Sequence, residues 1–365
     1  MRVTSSSQFD ATAEGSVPPF EQVRPHIWAL PLAMPTPALP YVLSYFVIDE
    51  NGLVHVIDAG WDSDENWQRV LAALAELGLD TASVASLTLT HLHPDHVGMT
   101  HRYRAASRVR VQLGRVEQAA ITALTAAPGS ATAPTSVGSG PDARRRPAVP
   151  AEWGVPADRV AELGSGFGSG GSGDAIEGDV LLDDGDDLGV PGVGIRVITT
   201  PGHTNGSICL AFEGENLLVT GDHLLPTIFS GLGLGGPTDT NPVSDYLAAL
   251  ERLAPFDDPE EQVEVLPGHG YRFTGVAERR AESAEHHQGR TRQAAAILAE
   301  NPDATVWQVA SQLYWTSGWE NLNGPYLRSA LAQTAWHRER AAAGLGGAGA
   351  RGERAAFGEP GAGVR

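Results

Sequence analysis

The chain has 365 residues, enough for one large domain with an appendage or for two domains with a sizeable core. Its 44 acidic residues against 25 basic ones leave a formal charge of −19, which works against holding a polyanion through the general field of the molecule. The single cysteine, Cys209, excludes an intrachain disulfide and gives no pointer to an oxidising compartment.

Residues 1–20 are polar and contain proline, so they read as a flexible arm. They lack the apolar core of a signal peptide, and no window reaches the roughly 20 apolar residues of a membrane span, so a cytoplasmic, membrane-free protein is the expectation. Next, "YVLSYFVI" and "LVHVIDAG" flank Asn51-Gly52, and Asn-Gly between apolar runs predicts a hairpin. In "SDENWQRVLAALAELG" Trp67, Val70, Leu71, Leu74 and Leu77 recur at helical spacing, with Ser63 placed to cap the start and Gly78 the end. The apolar run "VASLTLT" predicts a buried strand.

From Ala119 to Gly173 the chain is rich in Ala, Gly, Ser and Pro, a composition that cannot sustain a packed core. Residues 119–173 are therefore expected to be a mobile loop insertion, with "AEWGVPADRVAEL" as a short helix over a cleft. Strands return in "GIRVITTPG", "SICLAFEG" and "NLLVTGD", followed by the helix "SDYLAALERLA" and the strand "VEVLPGHG". After Gly275 the pattern is helical. Three helices over 275–344 predict a small separate domain, and the Gly- and Ala-rich stretch 345–365 a disordered tail.

The chemistry concentrates in "LTLTHLHPDHVGM". His91 and His93 alternate at the end of a strand, where extended backbone sends both rings into one crevice; Pro94 then interrupts, and Asp95 and His96 open the next helix facing another way. Such a layout suits two adjacent metal positions. A zinc ion takes four ligands, so partners are needed, and His203 in "TTPGHTNGS", Asp222 in "LLVTGDH" and His269 in "VLPGHG" each stand just beyond an apolar strand run. His26, His55 and His337 are isolated and read as structural or exposed. Cys209 reads as core, and the adjacent helical pair His286 and His287, pointing about 100° apart, as surface or interdomain contacts.

In chain order, "VIDAG", "THLHPDH", "PGHT", "TGD" and "PGHG" resemble the successive motifs of the metallo-β-lactamase superfamily, over roughly residues 23–274. The resemblance implies an α/β fold, an αββα sandwich with two metals at the edge of its sheets, in a catalytic domain of residues 21–274. Carried over residue by residue, His91, His93 and His203 hold one metal and Asp95, His96 and His269 the other, with Asp222 bridging. Asp58 orients a ligand, the alternative being a simple turn former. The helical end, 275–344, is similar to the winged-helix-like tail of a subgroup of β-lactamase-like-2, glyoxalase-II-like and thioesterase-type hydrolases. The implied cofactors are two zinc ions, with iron or manganese as alternatives.

Two zinc ions sharing a water would lower its pKa from about 15.7 towards 7, and the resulting hydroxide would attack an acyl carbonyl without any Ser or Cys nucleophile. Asp95 is also the candidate to pass the proton to the leaving group. His223, beside Asp222, either donates to the oxyanion or supports its neighbours. The expected reaction is hydrolysis of a small-molecule acyl substrate, a thioester or a lactone. A metal-dependent ribonuclease or phosphodiesterase uses the same motif, but phosphate contacts need basic side chains that are scarce here. A mononuclear-iron persulfide dioxygenase would use His91, His203 and Asp222, and the complete second set weighs against it. Neither nucleic acid nor a membrane is an expected partner, and a homodimer is left open.

Overall fold

The structure is a computed structural model describing residues 1–125, 151–163 and 176–349, apart from 37, 259, 316 and 317. It begins with β1 (Arg2–Val3) and α1 (Ser6–Glu14). Then come β2 (Glu21–Arg24), β3 (Ile27–Thr36), β4 (Leu39–Ile48), β5 (Val54–Ile57), α2 (Asp64–Glu76), β6 (Val84–Leu89), α3 (Pro94–Val97), α4 (Thr100–Ala106), β7 (Arg110–Gly114) and α5 (Arg115–Thr125). The second half supplies β8 (Val180–Leu182), β9 (Ile195–Thr199), β10 (Ile208–Phe212), β11 (Leu217–Gly221), α6 (Pro242–Arg252), β12 (Glu264–Pro267) and β13 (Phe273–Thr274). Helices α7 (Val276–Glu300), α8 (Val306–Ala310) and α9 (Gly324–Gly349) follow.

One sheet has the strand order β2-β3-β4-β5-β6-β7-β8, the other β1-β13-β12-β11-β10-β9. Their near-continuous apolar runs are explained by cover on both faces. In β10, Ile208, Leu210 and Phe212 point into the core between the sheets with Tyr45, Val47 and Leu266. The alternate residues Cys209 and Ala211 pack the other way, against Val243, Tyr246 and Leu250 of α6. In β4, Leu43 and Tyr45 face the inter-sheet core, while Val42 and Phe46 meet Val70 and Leu74 of α2. The result is four layers, the αββα sandwich. Each aliphatic side chain buried this way contributes about 1.5–3 kcal/mol of transfer free energy.

Local signals act as their chemistry dictates. The β4–β5 hairpin turns at Gly52 (φ 78°), with Asp49 Oδ1 accepting the amides of Asn51 (2.9 Å) and Leu53 (2.8 Å). Ser63 caps α2 by accepting the amide of Asn66, and Gly78 at φ 73° follows its last turn.

Several expectations change. The supposed N-terminal arm is built into the fold: β1 pairs with β13, and α1 buries Gln8 and Ala11. The expected short helix in 151–163 is a stretch of turns with a 3₁₀ turn at Val160–Leu163, and its Trp153 and Leu163 are buried among Ala294, Leu298 and Val306 of the helical end. Of the 119–173 insertion, 119–125 belongs to α5, while 126–150 and 164–173 lie outside the described residues. The region after Thr274 is helical, and a β-wing is not found among its described residues. The helix α9 continues to Gly349, past the expected start of the tail, and 350–365 lie outside the described residues.

Candidate metal centre

Strand direction assembles the site. Strands β5 and β6 run parallel, as do β11 and β12, and β9 aligns with β11 because each is antiparallel to β10. Their C-terminal ends therefore open on one edge. Asp58 follows β5, His91 and His93 follow β6, His203 follows β9, Asp222 follows β11 and His269 follows β12. Asp95 and His96 sit on α3, a four-residue helix that Pro94 starts with its φ already set.

These side chains form two adjacent donor groups: His91, His93, His203 and Asp222, and Asp95, His96 and His269. In the first, His91 Nε2 is 3.0 Å from His93 Nδ1, and His203 Nε2 is 3.0 Å from His93 Nδ1 and 3.3 Å from His91 Nε2. In the second, His269 Nε2 is 3.0 Å from Asp95 Oδ2, and His96 Nε2 lies 3.6 Å from the same oxygen. Asp222 faces both groups, with Oδ2 3.6 Å from His203 Nε2 and Oδ1 3.4 Å from His96 Nε2.

The outward nitrogens of these rings are engaged, which fixes their tautomers. His203 Nδ1 donates to the Gly231 carbonyl (2.6 Å), His269 Nδ1 to the Tyr41 carbonyl (2.8 Å) and His93 Nε2 to the Leu234 carbonyl (3.3 Å). A carbonyl only accepts, so each of these nitrogens carries the hydrogen, and in the neutral ring the opposite nitrogen presents its lone pair to the group. His96 Nδ1 lies 2.7 Å from Asp58 Oδ2, while Asp58 also accepts from the Thr90 amide and hydroxyl. Asp58 thus meets His96 from a position just beyond β5, with φ 63°. His91 Nδ1 meets the Thr90 hydroxyl at 3.1 Å. These carbonyls carry no motif of their own, and only the fold reveals them.

Charge follows the same plan. Burial, reinforced by the neighbouring His93, lowers the His203 pKa to about 4 and keeps the ring neutral, as a ligand must be. Burial opposes charge on His96 and His269 too, but the carboxylates around them win and raise both. The second group therefore favours positive charge at its centre. His96 Nε2, His269 Nε2 and Asp222 Oδ1 are buried without a hydrogen-bonding partner among the described residues, all aimed into the cluster. Orphaned nitrogen and oxygen donors of this kind fit divalent ions of the zinc, iron or manganese type.

His223 is placed differently. Its ring packs on Tyr246 of α6 at 4.8 Å, its carbonyl accepts the Tyr246 hydroxyl, and burial lowers its pKa to about 3. Neither ring nitrogen of His223 has a hydrogen-bonding partner among the described residues. His26 pairs with Glu215, His55 lies between Asp49 and Ser86, and Cys209 is buried. His337 is buried, as is His287, while His286 stacks on Phe229.

The same architecture occurs in solved structures. A metallo-β-lactamase family protein from Thermus thermophilus superposes with a TM-score of 0.67 at 26% identity, covering 89% of this chain and 95% of that one. A β-lactamase domain protein from Burkholderia ambifaria gives 0.63 at 22%, covering 88% of each. Among curated proteins, the Caenorhabditis elegans β-lactamase-like protein 2 homolog is 30% identical over 138 residues, 38% of this chain and 43% of that protein. A Pseudomonas putida (strain GB-1) hydroxyacylglutathione hydrolase is 31% identical over 179 residues, 47% of this chain and 62% of the relative. The human acyl-coenzyme A thioesterase MBLAC2 is 33% identical over 95 residues, 26% and 32%. Each match spans less than two thirds of the curated relative's own length. The family profile, by contrast, runs through the whole set of donors, from residue 39 to residue 269, more than half of the chain, so the chain belongs to the metallo-β-lactamase superfamily.

Proposed function

We propose that the protein is a two-metal hydrolase of a small acyl substrate, a thioester first and a lactone second. The observation that carries this reading is the pair of adjacent donor groups facing one another across Asp222, each complete and each fixed by bonds from behind. His91, His93 and His203 would hold one ion and Asp95, His96 and His269 the other, with Asp222 between. Divalent ions bound there would supply Lewis acidity towards a carbonyl and bring the pKa of a water into the neutral range.

The chain's own groups do the remainder. The carbonyls of Gly231, Leu234 and Tyr41 and the Asp58 carboxylate hold the imidazoles in a donor-ready tautomer, so little reorganisation is needed when the site fills. Asp95, held ionised against its burial by His96 and His269, is the group placed to take a proton and return it to the leaving atom. A thiolate leaves with little acid assistance, which suits a site whose carboxylates are already engaged with histidines. The names of two relatives, hydroxyacylglutathione hydrolase and acyl-coenzyme A thioesterase, support acyl compounds as the substrate class. The net charge of −19 argues against nucleic acid as the substrate.

The test is thiol release from a panel of acyl-thioesters by zinc-loaded protein, chelator-treated protein and the His93→Ala variant, with metal content measured on each. Release by the loaded protein that is lost in both controls is the expected result. Protein carrying two metals that releases no thiol from any ester sinks the thioesterase reading and passes the question to lactones and then phosphodiesters.

A further inference from the structure

Glu117 is a carboxylate only 1% exposed, in the first turn of α5. From sequence it looks like an ordinary acidic residue near a helix start, where it would face solvent and the helix dipole. In the fold it does something else. Its Oε1 accepts the Leu92 amide (2.7 Å) and the Thr204 hydroxyl (2.7 Å), and its Oε2 accepts the Gly206 amide (2.8 Å). Leu92 stands between His91 and His93, and Thr204 follows His203.

One side chain therefore ties the ligand loop of the first half to the ligand loop of the second. The two loops meet closely at this point: a Cβ on Gly206 would lie 2.2 Å from the Glu117 amide nitrogen, and one on Gly114 would lie 2.7 Å from the Gly206 carbonyl oxygen. No ion pair to Glu117 is found among the described residues, and burial raises its pKa to about 7 against the pull of its three donors. An unpaired buried carboxylate is a costly way to fill space. Its merit is chemical, because an ionised carboxylate accepts on both oxygens at once, whereas an amide of the same shape must turn an NH₂ towards one of the donors.

We propose that Glu117 is the positioning residue for the His91, His93 and His203 position, setting the spacing of the three rings by clamping Leu92 to Thr204 and Gly206. It touches no donor atom and acts through backbone and a hydroxyl. Asp95, His96 and His269 receive no bond from it, so its effect is confined to one of the two metal positions. The inference rests on these residues being metal ligands, as read above.

The experiment is metal titration of apo-protein against a chromophoric chelator, using zinc for affinity and cobalt for the visible spectrum, on wild type, Glu117→Gln and Thr204→Val, with apo-protein melting alongside. Glu117→Gln is expected to bind one of its two metals about 10- to 100-fold more weakly, with a changed cobalt spectrum, and to keep the other at wild-type affinity. Thr204→Val, which removes one of three donors, shifts the same position by less. Two metals at wild-type affinity with an unchanged cobalt spectrum in Glu117→Gln overturn the proposal alone. If that variant does not fold, Thr204→Val decides by the same readout. A wild type that binds no metal overturns the ligand reading and this inference with it.

Discussion

At the scale of single residues, the site depends as much on what is missing as on its donors. Gly268 precedes His269, and a Cβ there would stand 2.5 Å from Asp222 Oδ1 and 2.8 Å from His96 Cε1. Its backbone tolerates alanine, so Gly268→Ala should fold yet displace the Asp222 carboxylate and His96. The expected outcome is loss of at least one metal per chain by elemental analysis, with the far-ultraviolet circular dichroism unchanged; full metal occupancy would sink the argument. The seven side chains of the two donor groups were legible in the sequence because each stands in a short motif just beyond a strand, Asp95 and His96 on the short helix that follows β6. Glu117 and the carbonyls of Tyr41, Gly231 and Leu234 were not, since what qualifies them is a distant neighbour.

Elements were legible where their signal is local. The Asn-Gly hairpin and the Ser63-capped α2 formed as read, because their stabilising bonds close within a few residues. The first fourteen residues were not. The strand β1 is two residues long and pairs with Phe273 and Thr274, and α1 has no apolar stripe, holding on through Gln8, whose Oε1 accepts the Arg272 amide at 3.0 Å. The C-terminal helices were visible, but not what they bury. His287 of α7 packs between Tyr246 of α6 (4.9 Å) and His337 of α9 (5.9 Å), while His286 stacks on Phe229 (4.0 Å). Arg279, Arg290 and Arg340 are the charges around them. Burial first, and these cations second, lower the pKa of His286 to about 4 and of His337 to about 3, while burial and then the neighbouring His337 and His286 hold that of His287 well below its usual value. An unfolded chain takes up these protons near pH 6.5 and the folded one does not, so stability is held above that pH and lost as pH falls towards 4. Melting temperatures of wild type and His337→Gln between pH 7 and 4 check this: the variant should lose stability less steeply, and parallel curves would refute it.

On the scale of the whole molecule, the two halves are interlaced. The first half lends β1 to the second sheet, the second half lends β8 to the first, and each donor group takes its histidines from both. A divalent ion in either position would thus be a rivet between segments more than 100 residues apart, and a ligand that binds only the joined state favours it by mass action. The chain could accordingly be severed between residues 126 and 150, through none of the described elements, and still assemble from its two pieces. Co-expressed fragments should copurify through the inter-sheet core, and after dilution they should come apart more slowly with zinc than with a chelator. Equal rates would mean that the ions do not span the seam. In that light the polypeptide is two interlocked pieces written as one chain, and ions held by the two donor groups would act as a contact between them.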